Sequence, residues 1–257
     1  LLLAGRMSRA RLQKLFAALL ALAVWQGAAL LVHAPILLPS PLQVAGRLRA
    51  LVVTADFWGT VGFSLLRIAG GFLLALAAAT VLAFGAGRFS LLEILLRPYV
   101  LAIKSVPVAS FIILALIWLQ TSQLSLFISF LMVFPVLYTN VLAGIRSADR
   151  QLLEMARVFR VPWKRQVRMI YLPAVEPFLL AGCATSLGMS WKAGVAAEVI
   201  GVVGGSLGER LYDAKIYLMT ADLLAWTVVI VALSAGFEKL VLWLLRRILR
   251  WIGGVPA

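Results

Sequence analysis

From Ser105 to Ile145 the chain runs 41 residues without one Asp, Glu, Lys, Arg or His. As a single α-helix at 1.5 Å per residue this run would measure roughly 61 Å, about twice the thickness of a bilayer's hydrocarbon layer. It must therefore fold back on itself, and the polar tetrad Gln120, Thr121, Ser122 and Gln123 is where the turn is expected. Two adjacent uncharged helices of this length have no place in a soluble domain with a polar skin. They fit a membrane.

Runs of similar character place spans near 13–32, 60–85, 99–119, 124–145, 171–200 and 222–245, which makes an all-α integral membrane protein with six transmembrane helices. The composition agrees, at 63% hydrophobic residues and a mean hydropathy of +1.02 over 257 residues. Lys and Arg set the orientation. Sixteen of them, from Arg6, Arg9, Arg11 and Lys14 through Arg88, Arg97 and the run Arg146 to Arg168 to Arg246, Arg247 and Arg250, fall on the side shared by both termini. Only Arg47, Arg49, Arg210 and Lys215 fall on the other side. Both termini are thus expected in the cytoplasm of a multi-pass protein. The net charge of +14 is then a signature of topology, and nucleic acid is not an expected partner.

Residues 1–59 read as a first span followed by an outer segment, and residues 60–250 as the main membrane domain. The apolar run Leu15–Val32 follows basic residues, as in a signal peptide, but it is long for a signal core and no small-residue cleavage site follows it. It reads as a retained span; Leu1 to Arg6, which precede the first methionine, enter the argument only through the charge of Arg6. Pro35, Pro39 and Pro41 break the outer segment before an amphipathic stretch from Val44 to Val53. The single cysteine, Cys183, rules out an internal disulfide and a multi-cysteine metal site. His33, the only histidine, follows the first span as an interfacial residue.

The segment EMARVFRVPWKRQVRMIYLP, residues 154–173, holds six charges in twenty residues: Glu154, Arg157, Arg160, Lys164, Arg165 and Arg168. Each would cost about 2.5–3.5 kcal/mol at the centre of a span, so the segment belongs in the cytoplasmic loop 147–173. Leu152, Met155, Ala156 and Phe159 recur at i, i+3, i+4 and i+7 and form one apolar stripe. Pro162 suits the first turn of a second helix. The loop reads as a short helix-turn-helix with an apolar face and a basic rim. On physical grounds alone that face could rest on anionic headgroups or enter a groove of a partner, because the two settings favour the same pattern.

The spacing resembles the cytoplasmic signature of the permease subunits of binding-protein-dependent ABC importers: Glu-Ala-Ala, three residues, Gly, nine residues, Ile, one residue, Leu-Pro. Here Glu154, Met155 and Ala156 are followed at matching spacing by Arg160, Ile170, Leu172 and Pro173. Met155 stands for the first Ala of the signature and Arg160 for its Gly. Gly would take a positive φ there freely, whereas Arg carries about 1 kcal/mol of strain or needs another turn. The runs SLLRIAGGF at 64–72, KSVP at 104–107 and GMSWKAGVAAEVIG at 188–201 look like the nitrate, sulfonate and taurine branch of these permeases. The resemblance implies a type I transmembrane domain over 60–250. It further implies an importer of two permease chains (two copies, or this chain with a homologue), two cytoplasmic ATPase subunits and an external solute-binding protein, set in a bacterial inner membrane. The loop, through Leu152, Glu154, Met155, Ala156, Phe159, Arg160, Ile170, Leu172 and Pro173, would couple to the ATPase. No Gly-x-x-x-x-Gly-Lys-Ser/Thr run is present, so the chain itself is expected to hold no cofactor, and ATP and Mg belong to the partner ATPase.

Five charges fall within or beside the spans: Arg67, Lys104, Lys192, Glu198 and Lys239. Intramembrane charges face protein, a cavity or the interface. Lys104, Lys192 and Glu198, with Trp191, are candidates for the solute path or for structural ion pairs. Lys192 and Glu198 lie six residues apart, so on a straight helix they do not face each other unless the helix breaks at Gly194. The same charges could serve an ion-coupled secondary transporter, but the paired halves with matching interrupted helices that mark such folds are not found. An intramembrane enzyme has little to build on, with neither His-Glu-x-x-His nor Gly-x-Ser-x-Gly in the chain.

Overall fold

The computed structural model describes residues 2–253, with the backbone alone for 2–11, 14, 15 and 253. The side chains of Arg6, Arg9, Arg11 and Lys14 thus lie outside the described residues. No strand occurs among them. The α-helices in order are α1 (Leu2–Val32), α2 (Pro41–Val52), α3 (Ala55–Arg88), α4 (Ser90–Ser105), α5 (Val108–Trp118), α6 (Leu124–Arg146), α7 (Arg150–Val158), α8 (Trp163–Gln166), α9 (Leu172–Gly201), α10 (Leu207–Ile216) and α11 (Thr220–Gly253).

The six-span expectation needs one correction, at its third span. Helix α3, the stretch Thr121–Arg146, the stretch Trp163–Gly201 and α11 are each long and apolar enough to cross a bilayer. The expected third span, 99–119, is not a straight helix: α4 and α5 meet at a bend of 108° and make at most one broken span or a re-entrant pair. Pro107 is the cause. It supplies no N–H to the turn before it and pushes Val106 out of the helical region, to φ −83° and ψ 133°. Helix α1 covers the expected first span, 13–32, and its described apolar stretch runs from Phe16 to Val32. The turn expected at 120–123 is present as a single 3-10 turn, Thr121–Gln123, leading into α6.

The chain divides into two compact units: residues up to 59 with 210–229, and residues 60–209 with 230 onward. In the first, Ser40 caps α2 by a reciprocal box: the Gln43 N–H donates to Ser40 Oγ (3.3 Å) and the Ser40 N–H to Gln43 Oε1 (2.9 Å), with Pro41 opening the helix. Arg47 makes a two-pronged pair with Asp222, Arg210 donates to Asp56 at 2.6 Å, and Phe57 stacks on Trp226.

In the second unit α6 is the central helix. Its core faces α3, α9 and α11 through Phe72, Leu137, Val141, Cys183 and Leu187, and a smaller cluster packs Ile112 and Ala115 of α5 against Leu124 and Ile128. Small residues bring the helices together. On α9 a stripe of small residues, Gly182, Ser186 and Ser190, is buried and continues to Gly194, where an added Cβ would come within 2.7 Å of Ile68 and 2.6 Å of Ser129 Oγ. On α3 the buried ridge is Ala75, Ala79, Ala83 and Ala86. Leu66, Val81 and Ile117 point outward, the arrangement lipid requires.

Candidate functional site

Helix α7 begins where Asp149 accepts the Gln151 N–H at 2.8 Å, an ordinary N-cap. It ends in a Schellman arrangement. The Val161 N–H donates to the Ala156 carbonyl (2.8 Å) and the Arg160 N–H to the Arg157 carbonyl (3.1 Å), which sets Arg160 in the left-handed region at φ 48°. Arg160 therefore takes the backbone that Gly would take freely. The turn is closed by Gln166, whose amide donates to the Val161 carbonyl at 2.7 Å.

The second half of the loop differs from the expected separate helix. From Trp163 onward the chain is helical without interruption to Gly201, passing through a π-helical turn, Val167–Tyr171, into the span. Pro173 stands just after this π-helical turn, inside the continuous helix, and leaves its ladder one N–H short. The loop is thus helix α7, a tight turn, and the cytoplasmic extension of a long span. Ile170 and Leu172 are half-buried at the join, and Trp163 packs on Tyr171 with ring centroids 5.5 Å apart.

Of the expected stripe only Ala156 is buried. Leu152 and Met155 are exposed and Phe159 is 74% exposed; Val158, Trp163 and Met169, which the stripe did not include, are exposed as well. Glu154 is exposed and forms no ion pair among the described residues. A strongly amphipathic helix thus turns its apolar edge away from its own fold.

The intramembrane candidates do not form one site. Lys192 is exposed on α9 and Glu198 is fully buried, and α9 runs unbroken past Gly194, so the two are not paired. Trp191 is buried beside Phe237, with its indole N–H unpartnered. Lys104, exposed near the end of α4, donates to Thr139 Oγ1 at 3.3 Å. Arg67 stacks on Phe63 and donates to the Ser122 carbonyl.

Glu198 has partners that the sequence did not disclose. Its Oε2 accepts from Ser64 Oγ at 2.8 Å and from the Gly208 N–H at 3.2 Å, while Ser64 Oγ accepts from the Leu207 N–H at 2.9 Å. A carboxylate and a hydroxyl therefore satisfy the first free N–H groups of α10, where the helix dipole favours negative charge. Gly208 is required by space: an added Cβ would strike Glu198 Cβ and come within 2.5 Å of the Val199 nitrogen. The arrangement fastens the end of α9 to the start of α10. Ser64 and Glu198 are both fully buried, and no cluster of three metal-ligating residues occurs among the described residues. Ser64 lies in the run SLLRIAGGF and Gly208 in GGSLGER, so each was visible in sequence, but 143 positions separate Ser64 from the Leu207 it meets.

The family described as "Binding-protein-dependent transport system inner membrane component" matches residues 71–253. The putative aliphatic sulfonates transport permease protein SsuC of Bacillus subtilis (strain 168) is 30% identical over 234 residues, 90% of this chain and 84% of that protein. The taurine transport system permease protein TauC of Escherichia coli (strain K12) is 28% identical over 90% of this chain and 86% of its own length. The bicarbonate transport system permease protein CmpB of Synechococcus elongatus is 29% identical over 76% and 70%.

Proposed function

We propose, from the fact that the chain belongs to the family of binding-protein-dependent transport system inner membrane components, that it is the permease subunit of an ATP-driven importer. In this reading it forms the path for a small solute delivered by an external binding protein. It works beside a second permease, a copy or a homologue, and two cytoplasmic ATPase subunits supply ATP and Mg. Both termini face the cytoplasm of a bacterial inner membrane. The relatives' names, covering sulfonates, taurine and bicarbonate, favour a solute that carries an oxyanion.

The observation that carries the coupling role is the uncovered apolar edge of α7, at the positions where the signature Glu154, Met155, Ala156 and Arg160 falls. An isolated amphipathic helix of nine residues is not stable by itself and gains little from apolar side chains held in water. A groove in an ATPase would cover Leu152, Met155 and Phe159 and leave Glu154 at the rim. Ile170, Leu172 and Pro173 would then transmit movement of the loop into α9, since the helix is continuous from Trp163. Trp191 and Glu198 on the same helix act as structural anchors in this reading, and Lys104 and Lys192 are the exposed cations free to meet solute.

The test is uptake by the complex reconstituted in vesicles with its ATPase and binding protein. Accumulation should stop with an ATPase that cannot hydrolyse ATP and continue after the proton gradient is collapsed while ATP is maintained. Uptake that follows the gradient and ignores ATP would replace this reading with a secondary transporter.

A further inference from the structure

Between α4 and α6 lies an open cleft of about 860 Å³, within the range of small-molecule sites. Helix α4 contributes Glu93, Arg97 and Lys104, whose spacings of four and seven put them on one face. Helix α6 contributes Tyr138, Thr139 and Arg146. Three cations thus line the cleft against one carboxylate. Arg146 is already paired with Glu93, which leaves Arg97 and Lys104 with no acidic partner among the described residues. Tyr138 is the second observation. It is only 3% exposed, yet its hydroxyl has no hydrogen-bond partner, and a buried phenol normally finds one. Thr139 donates its proton to the Pro135 carbonyl at 2.8 Å and so meets Lys104 as an acceptor.

We propose that this cleft is an oxyanion-binding site, in which Arg97, Lys104 and the Tyr138 hydroxyl hold a phosphate- or sulfonate-type group. Beside the apolar walls of Val100, Leu101, Leu142 and Ala143, the polar groups of the lining left without an acidic partner are donors: the guanidinium offers a planar fork, the ammonium three N–H groups and the phenol one O–H. Their complement is a compact, acceptor-rich anion, and charge-assisted hydrogen bonds to it are about twice as strong as neutral ones. The Glu93–Arg146 pair neutralises the one group that would repel such a guest. Two sources offer this chemistry, the phosphate of an anionic lipid headgroup and a free oxyanion solute. The second rests on the permease reading; the first does not.

The full chain in phosphatidylcholine nanodiscs, without ATPase or binding protein, is titrated with radiolabelled ethanesulfonate. In parallel, nanodiscs containing phosphatidylglycerol are analysed for lipid that stays bound after the protein is extracted into detergent. The expected result is saturable binding of one of the two, weakened about tenfold by Arg97→Gln and by Lys104→Gln and about threefold by Tyr138→Phe. Lys104→Arg should keep it. Arg97 and Lys104 are exposed, so their replacement leaves the packing of α4 on α6 in place. Ethanesulfonate binding that phosphatidylglycerol does not displace assigns a solute site, and retained phosphatidylglycerol without ethanesulfonate binding assigns a headgroup site. Binding of neither, or binding that all three substitutions leave unchanged, overturns the proposal. Because no ATPase is present, failure here is independent of whether ATP drives uptake.

Discussion

Helix α7 and the junction of α9 with α10 break opposite rules of solvation. At α7, Leu152, Met155, Val158 and Phe159 stand uncovered on the side rich in cations. At the junction, Glu198 is fully buried near the end of a span. Leaving a side chain like Phe uncovered forgoes about 1.5–3 kcal/mol of burial, and burying a carboxylate without hydrogen bonds costs several. The difference lies in who supplies the remedy. At its Oε2, Glu198 receives a hydroxyl from α3 and an amide from α10, all from the same chain, while its Oε1 stays unpartnered. The apolar edge of α7 receives nothing from its own fold. A residue out of place with partners is a fastening, and one out of place without them marks a surface that another molecule completes.

The contrast requires the two regions to face opposite sides of the membrane, which gives the largest, all-or-none prediction. A cysteine at Lys164 should react with an impermeant reagent only from the cytoplasm, and one at Lys215 only from outside, because the loops hold sixteen basic residues on one side and four on the other. Reversed labelling would undo the assignment of both regions.

Next in size is the fastening. Gly208→Val would drive a side chain into the backbone at Glu198 and Val199 and pull the Gly208 N–H off the carboxylate. Overpacking against backbone that cannot yield costs about 3 kcal/mol or more. The purified chain should melt at a clearly lower temperature, and a cysteine at Ser206, now buried, should become reactive. An unchanged melting temperature would mean that α10 is not seated on α9.

Phe159→Ala tests the other half of the comparison. The side chain is exposed in the isolated chain, so thermal stability should hold, while affinity for the ATPase should fall about thirtyfold, upwards of roughly 2 kcal/mol, as for an aromatic anchor at an interface. Glu154→Arg should also weaken co-purification. Lys164→Ala, on the basic rim, should change affinity by about 0–1 kcal/mol. Equal recovery of ATPase by the Phe159 variant and the unmodified chain would leave the α7 face to lipid.

The sequence discloses these regions unequally, and the reason is distance along the chain. The hairpin between α5 and α6 is legible because 41 uncharged residues cannot cross once, and the amphipathic α7 because its period is local. The 108° bend is half legible: Pro107 announces a break, but its angle depends on what α4 and α5 pack against. Pro162 suggests a short second helix; that helix instead runs on through Pro173 into the span. The partners of Glu198 are not legible, since neither the hydroxyl of Ser64 nor the amide of Gly208 has a sequence mark that says what it bonds. Spacing alone did separate Lys192 from Glu198.

The smallest expected effect lies in the turn that presents α7. Arg160 holds φ at 48°, a conformation that costs a residue with a Cβ about 1 kcal/mol and costs Gly almost nothing. Arg160→Gly should therefore relax the turn, offset in part by the greater freedom Gly has in the unfolded chain. The readout is local: hydrogen exchange at the Val161 amide, which is bonded to the Ala156 carbonyl at 2.8 Å, should slow by up to about fivefold, the ratio that 1 kcal/mol gives. Exchange near Gln151, at the other end of α7, should stay as it was. If the Val161 amide exchanged faster in the Gly variant, the Arg160 side chain would be holding the turn by contacts that outweigh its backbone strain. The departure from the signature Gly would then be an adaptation of this chain's own coupling surface.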